Sequence, residues 1–314
     1  MNLVDFYRRF PNEESCVSYL KTKREEQGIV CPKCGCTHHY WKSYRNQWEC
    51  KECGHRTGIK SGTVMHSSNL PLLTWFMAIH LVTSTKKSFS ASELQRQLGI
   101  GCYQTVWEML HKIRSVMGKR DSGYKLNGSM ELDDAFFTIS LDDNRKDEKL
   151  KRGRGSQRKA KVLVITESKD SDRKDNRKRI QKSVGHIKMI VLNDLKSSTL
   201  DNEVRKWIDR ESDIRTDDSK SYVNFKNIVR SHTSQVVEPK EIDKVLPWVH
   251  IVISNAKRQL LDIHHDIKPE FLQSYLDEFC YKFNRRNLDV FERLMDSCMN
   301  CRSDFRHRIY KKVA

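Results

Sequence analysis

Met130-Glu131-Leu132-Asp133-Asp134-Ala135-Phe136-Phe137 is an apolar run with two adjacent carboxylates in its middle. Gly128-Ser129 breaks the chain just before it, and Phe136, Phe137 and Ile139 carry strand propensity, so the run reads as a β-strand. Side chains alternate across a strand, which sends Asp133 and Asp134 to opposite faces. One of them is then pushed towards whatever covers the sheet. A buried carboxylate is costly unless it is paired or bound to a cation. A salt bridge to one of the chain's many Lys or Arg would satisfy it; a metal-binding aspartate on a core strand is the functional alternative. The rest of the chain favours the second.

The 314 residues carry 58 Lys and Arg against 41 Asp and Glu, a formal charge of +17 with a pI near 9.4. That surplus points to nucleic acid, because phosphate contacts by Lys and Arg release counterions. An anionic membrane would also attract it, but no basic amphipathic helix stands out. No apolar run is long enough to span a bilayer, and the first residues lack a basic n-region followed by an apolar stretch. Two or three soluble domains in the cytoplasm are expected.

Cys31-Pro-Lys-Cys34-Gly and Cys50-Lys-Glu-Cys53-Gly form two knuckles with fifteen residues between Cys34 and Cys50. Each pair wraps one side of a tetrahedral ion, and the following glycine permits the tight turn. Tyr40, Trp41, Tyr44 and Trp48 lie between them as strands of a zinc ribbon. Four thiolates at this spacing imply structural Zn²⁺ in a reducing compartment. Cys36, His38, His39 and His55 are bystanders, with His55 the substitute ligand should one cysteine be unused.

Residues 70–120 read as helical. Ser90-Ala-Ser-Glu93 is a capping box opening a short helix with Leu94 and Leu98 inward; Gly99-Ile100-Gly101 turns, and a second helix carries Val106, Leu110 and Ile113. Helix, glycine turn, helix is the helix-turn-helix pattern, which would place Tyr103 and Gln104 at the start of a DNA-reading helix. An ordinary helical hairpin has the same pattern.

After the first strand comes a hydrophilic run holding Lys151-Arg152-Gly153-Arg154-Gly155, a solvated loop or a phosphate-tracking one. Val162–Thr166 and Ile187–Leu192 are further strands, joined by a charged connection over Lys169 to Lys182. Ser198 to Arg210 is an amphipathic helix, Asp213–Asp217 a short strand ending in a carboxylate, and Pro247 to His264 and Phe271 to Arg285 are helices. Three strands, a helix, a fourth strand with a terminal Asp, then helices is the ribonuclease H-like order. That order lays strands one and four side by side, so Asp133 and Asp217 could share a divalent cation. Seven residues is nearly two helical turns, so His250 and Lys257 share one helix face. His250 is the candidate third ligand; the alternative is a structural histidine, with Asp243, Glu241 or Asp262 as the ligand. Asp134 and Asp218 are the fallbacks for the two aspartates. Tyr222 reads as a packing residue.

These motifs together resemble a bacterial insertion-sequence transposase of the DDE superfamily, in the subgroup led by a zinc ribbon. The resemblance rests on the two cysteine knuckles, Ser61-Gly62-Thr63, MELDD at 130–134, GRG at 153–155, TDDSKSY at 216–222, HIVISNAKR at 250–258 and YLDEFCYKFNRR at 275–286. It implies an α+β multidomain chain: ribbon over 1–68, helix-turn-helix over 69–126, a ribonuclease H-like α/β domain with a mixed, helix-flanked sheet over 127–290, and a basic tail over 291–314. It further implies metal-dependent cleavage of double-stranded DNA at transposon ends and strand transfer into target DNA; because two ends must be brought together, a homodimer or higher oligomer on DNA is expected. Asp133 and Asp217 match the first two acidic ligands for Mg²⁺ or Mn²⁺, and Lys257 the basic residue after the third. His250 stands where most of the superfamily has Glu. Arg152, Arg154, Arg258, Arg285 and Arg286 would hold backbone phosphates. The competing reading is an idle zinc-ribbon and helix-turn-helix DNA-binding protein derived from a transposase.

Overall fold

The computed structural model describes residues 1–141, 149–174, 180–236, 245–303 and 305. It divides into two compact units: residues 1–117 with 286–314, and residues 118–285. No described helix is long and apolar enough to cross a membrane.

The first unit begins with α1 (Leu3–Arg9) and α2 (Glu13–Gln27). Asn12 and Ser15 cap α2 reciprocally, which satisfies donors that a helix start leaves open. The ribbon follows as an antiparallel sheet of β1 (His39–Lys42), β2 (Gln47–Cys50) and β3 (Arg56–Gly58). Then come α3 (Leu72–Ser84), α4 (Ala91–Leu98) and α5 (Tyr103–Asp121). Ser90 caps α4 by accepting from Glu93 N, but the Glu93 carboxylate takes Arg96 and Gln97, so only half of the expected capping box forms; Gly99 ends the helix in the left-handed region. The core is aromatic: Phe10 packs edge-on against Phe76 at 4.9 Å, and Phe6 stacks on His80 at 4.6 Å.

Into this core returns the helix Val290–Asn300, which the tail assignment over 291–314 did not foresee. Its Phe291, Leu294, Met295 and Cys298 are buried at i, i+3, i+4 and i+7 spacing, a pattern the sequence already held. Cys298 O accepts from Val64 N at 2.8 Å. The Cys298–Cys301 pair is thus part of a packed helix and its end.

The second unit holds a five-stranded sheet: β4 (Ser129–Thr138), β5 (Lys159–Lys174), β6 (Ile180–Leu192), β7 (Asp213–Asp217) and β8 (Ser231–Gln235), in the order β6-β5-β4-β7-β8. β4, β5 and β6 are antiparallel neighbours, whereas β7 runs parallel to β4 and β8 parallel to β7. This is the mixed, ribonuclease H-like order. The charged stretch expected as a connection is instead largely strand, since β5 and β6 stay paired as far as Lys174 and Ile180. Ladder hydrogen bonding does not need apolar side chains, so hydropathy alone ended those strands too early.

Helix α6 (Ser197–Trp207) covers one face with Leu200 and Val204, against Met130, Leu132 and Ile214. Helices Pro247–Ile263 and Pro269–Asn284, here α7 and α8, cover the other, against Ala135, Phe137 and Val164. Helix α8 also closes the β6 edge. Gln273 accepts from Val191 N at 2.8 Å and donates to Met189 O at 2.9 Å. Asn284 accepts from Ile187 N at 2.8 Å and donates to Ile187 O at 3.0 Å. Those amides imitate a further strand and leave fewer open edge groups. The last turn of α5 comes so near α8 that a Cβ at Gly118 would run into the Asp277 carboxylate.

Candidate active site and zinc centre

In the ribbon, the Sγ atoms of Cys31 and Cys53 lie 3.6 Å apart, those of Cys34 and Cys50 3.5 Å. All four lie within 4.8 Å of one another. Tetrahedral Zn–S bonds of about 2.3 Å put sulfurs about 3.8 Å apart, so the cluster fits Zn²⁺. Gly35 and Gly54, each following a knuckle, have φ of 74° and 67°. Their N–H groups turn back to Cys31 O and Cys50 O at 2.9 and 3.1 Å. A side chain there would be strained, hence the glycines. His55 is not part of the cluster.

The second site is built on β4. Glu131 is registered against Arg215 of β7, and two residues on along both parallel strands come Asp133 and Asp217. Equal steps in a parallel register leave the two carboxylates level and on the same face. Helix α7 crosses that face and brings His250 Nδ1 to 3.6 Å from Asp133 Oδ2. Further along the same face of α7 lies Lys257, whose ammonium sits 5.8 Å from the Phe137 ring centre and attracts the Asp133 carboxylate. The structure therefore gathers Asp133, Asp217, His250 and Lys257.

Burial, then the charges of Asp134 and Asp217, push the Asp133 carboxyl up to about 7. The Asp134 N–H, donated to Oδ1 at 2.8 Å, and Lys257 pull the other way. An unfolded aspartate titrates near 3.9. Between these values the native chain holds a proton that the unfolded chain has released. Stability therefore falls as pH rises through that window, and the whole penalty is present above about 7. Asp133→Asn is expected to stabilise the protein, without added divalent cations, by about 1–3 kcal/mol near pH 8 and by almost nothing near pH 4. Urea unfolding at both pH values checks this; equal gains at the two would remove the proton from the explanation.

The other candidates separate by position. Asp134 faces the opposite side of the sheet and accepts from Tyr222 O–H at 3.2 Å, so it is no substitute for Asp133. Tyr222 is buried, a packing residue as expected. Asp218 is exposed beyond the end of β7. Asp262 is twelve residues from His250 on the same helix, roughly 18 Å along its axis, too far for a shared ion. Glu241 and Asp243 lie outside the described residues. Tyr103 and Gln104 are exposed at the start of α5. Arg152, Arg258 and Arg286 are exposed, and Arg154 belongs to the 3₁₀ turn Gly153–Gly155. Arg285 is a correction: it pairs with Asp121 at 2.6 Å and lies 3.6 Å from the Tyr281 ring centre. Burial of Asp121 needs that cation, which withdraws Arg285 from the phosphate-holding set.

Sequence reasoning passed over Glu131. It is fully buried on the Asp133 face of β4, its Oε1 3.2 Å from Arg215 and its Oε2 accepting from Trp248 N and Val249 N at 2.8 and 3.1 Å. The signal was its place two residues before Asp133, which period-2 alternation assigns to the same face.

Residues 125–284 match the family model described as ISXO2-like transposase domain, and residues 11–56 the one described as transposase zinc-ribbon domain. An uncharacterized protein in transposable element ISH50 of Halobacterium salinarum is 25% identical over 168 residues, 50% of this chain and 55% of that one. The chain thus spans about half the length of that curated relative. Among solved structures, a pre-cleavage Mos1 transpososome aligns at 9% identity and a TM-score of 0.25, over 71% of this chain and 78% of that one. The Mos1 strand transfer complex aligns at 11% and 0.26, over 74% and 78%. Overlap that slight bears no weight in the argument. The first match spans more than half of the 314 residues and takes in Asp133, Asp217, His250 and Lys257: the chain belongs to the ISXO2-like transposase family.

Proposed function

We propose that the chain is a divalent-metal-dependent transposase that cuts DNA at transposon ends and joins the freed 3′-hydroxyl to target DNA. The observation that carries this is the meeting of Asp133 and Asp217, level on adjacent parallel strands, with His250 3.6 Å from Asp133. Burial and the charges of Asp134 and Asp217 disfavour the ionised Asp133, a penalty that a bound cation would relieve. Asp133, Asp217 and His250 would hold Mg²⁺ or Mn²⁺, which when bound supplies a Lewis acid for phosphoryl transfer. Asp133 gives up its proton on taking a cation, so metal uptake strengthens as pH rises towards 7. Lys257, on the same face of α7, would hold a non-bridging phosphate oxygen. Arg258, Arg152, Arg154 and Arg286 are assigned to backbone phosphates of double-stranded DNA, and Tyr103 and Gln104 to base edges. Working on two ends at once calls for a dimer or higher oligomer.

Imidazole suits Mn²⁺ better than Mg²⁺. Cleavage of end DNA is therefore expected to run at least about tenfold faster with Mn²⁺ than with Mg²⁺, and His250→Glu is expected to narrow the gap. Equal turnover in the two metals would take His250 out of the ligand set. Binding without cutting in either metal would favour the idle DNA-binding protein instead.

A further inference from the structure

We infer that Glu131 is the positioning residue for this site: it clamps the first turn of α7 to β4 and thereby sets where His250 stands relative to Asp133. The inference rests on the reading of His250 as a metal ligand given above.

A helix start leaves its first N–H groups without intrahelical partners, and a nearby side chain normally accepts from them. At α7 the capping position is Leu246, which offers no side-chain acceptor, and Pro247 follows it. The acceptor arrives instead from across the fold. Glu131 Oε2 takes the N–H groups of Trp248 at 2.8 Å and Val249 at 3.1 Å, and His250 is the next residue. The other oxygen is held 3.2 Å from the Arg215 guanidinium, in the neighbouring strand and in register. A buried carboxylate with a cation on one side and the positive end of a helix on the other is satisfied, and bonds of this kind are short and directional.

The consequence is geometric. Asp133 and Glu131 sit two residues apart on one strand and one face, so their spacing is fixed by the backbone. One carboxyl group reaches the ion and the other grips the helix that brings the third ligand. Both the depth and the roll of the first turn of α7 are therefore referred to β4 itself. The buried positions Val249, Val252, Ile253, Ala256 and Leu260 hold α7 to the sheet along its length, and Glu131 adds a directional polar anchor at its first turn.

The test uses the full, zinc-loaded chain and Mn²⁺ alone, with spin-echo envelope modulation reporting nitrogen coupled to the bound ion. The wild type should show an imidazole nitrogen that His250→Ala lacks. Glu131→Gln keeps the shape but cannot accept from Arg215 and the helix at once; Glu131→Asp keeps the charge but is one methylene short. Each is expected to weaken Mn²⁺ binding at least tenfold and to lose most of the nitrogen coupling, with zinc content and circular dichroism unchanged. Either variant, if folded, decides the matter. A folded variant that melts earlier yet keeps wild-type Mn²⁺ affinity and full coupling overturns the inference while leaving the metal reading intact. A wild type whose bound Mn²⁺ shows no nitrogen from His250 overturns both, and is recognised before any Glu131 variant is made.

Discussion

Asp133→Ala and Asp217→Ala are each expected to lower cleavage of transposon-end DNA by about 10³-fold or more, with affinity for that DNA unchanged. A cation at a transferring phosphate stabilises the transition state by several kcal/mol, and each 1.36 kcal/mol is a factor of ten. The loss in Asp133→Ala would not come from unfolding. Burial and like charge raise the Asp133 pKa, so deleting this carboxylate relieves the native state near neutral pH rather than straining it. Asp134→Asn is the internal control. Its carboxylate lies on the other side of the sheet with Tyr222, and cleavage should stay within a few-fold of wild type. Assays with labelled end DNA under Mn²⁺, beside gel-shift titrations, measure both quantities. Full cleavage by Asp217→Ala would end the proposal, since it would show that the level pair of aspartates does not share an ion.

Stripping zinc, or replacing Cys50 with Ser, is expected to unfold the ribbon while leaving the five-stranded sheet folded. The three short strands bury little besides Trp48, Thr57 and the ligand Cys50, with Trp41 packed on Trp48 at 4.8 Å. So small a sheet has no core to stand on, and four-thiolate zinc binding supplies on the order of 10 kcal/mol of folding free energy at neutral pH. The five-stranded sheet has its own two cores, against α6 on one face and against α7 and α8 on the other. Metal analysis should return one zinc per chain. On chelation, backbone amide dispersion over residues 39–58 should collapse while that of β4 to β6 persists. A ribbon that keeps its dispersion without metal would show that the cysteines are not what folds it.

The sequence by itself determined whatever depends on short spacing. Two cysteines with two residues between them, then glycine, can close on a tetrahedral ion wherever the knuckle lies, and the ribbon followed. Strand alternation sent Asp133 and Asp134 to opposite faces, and helical period put His250 and Lys257 together. Even the adjacency of the Asp133 and Asp217 strands followed from the order of the elements. Only the tertiary structure decided which partner each polar group took. Arg285 was expected on a phosphate and is held by Asp121; Glu131 drew no notice and caps a helix more than a hundred residues away. The helix Val290–Asn300 had the right periodicity, but a stripe of apolar side chains does not name the surface that will cover it. Periodicity is written in neighbouring residues because backbone geometry repeats over two or 3.6 of them. Pairing between distant segments is settled by which arrangement leaves the fewest buried charges and donors unsatisfied, and that sum is taken over the whole fold.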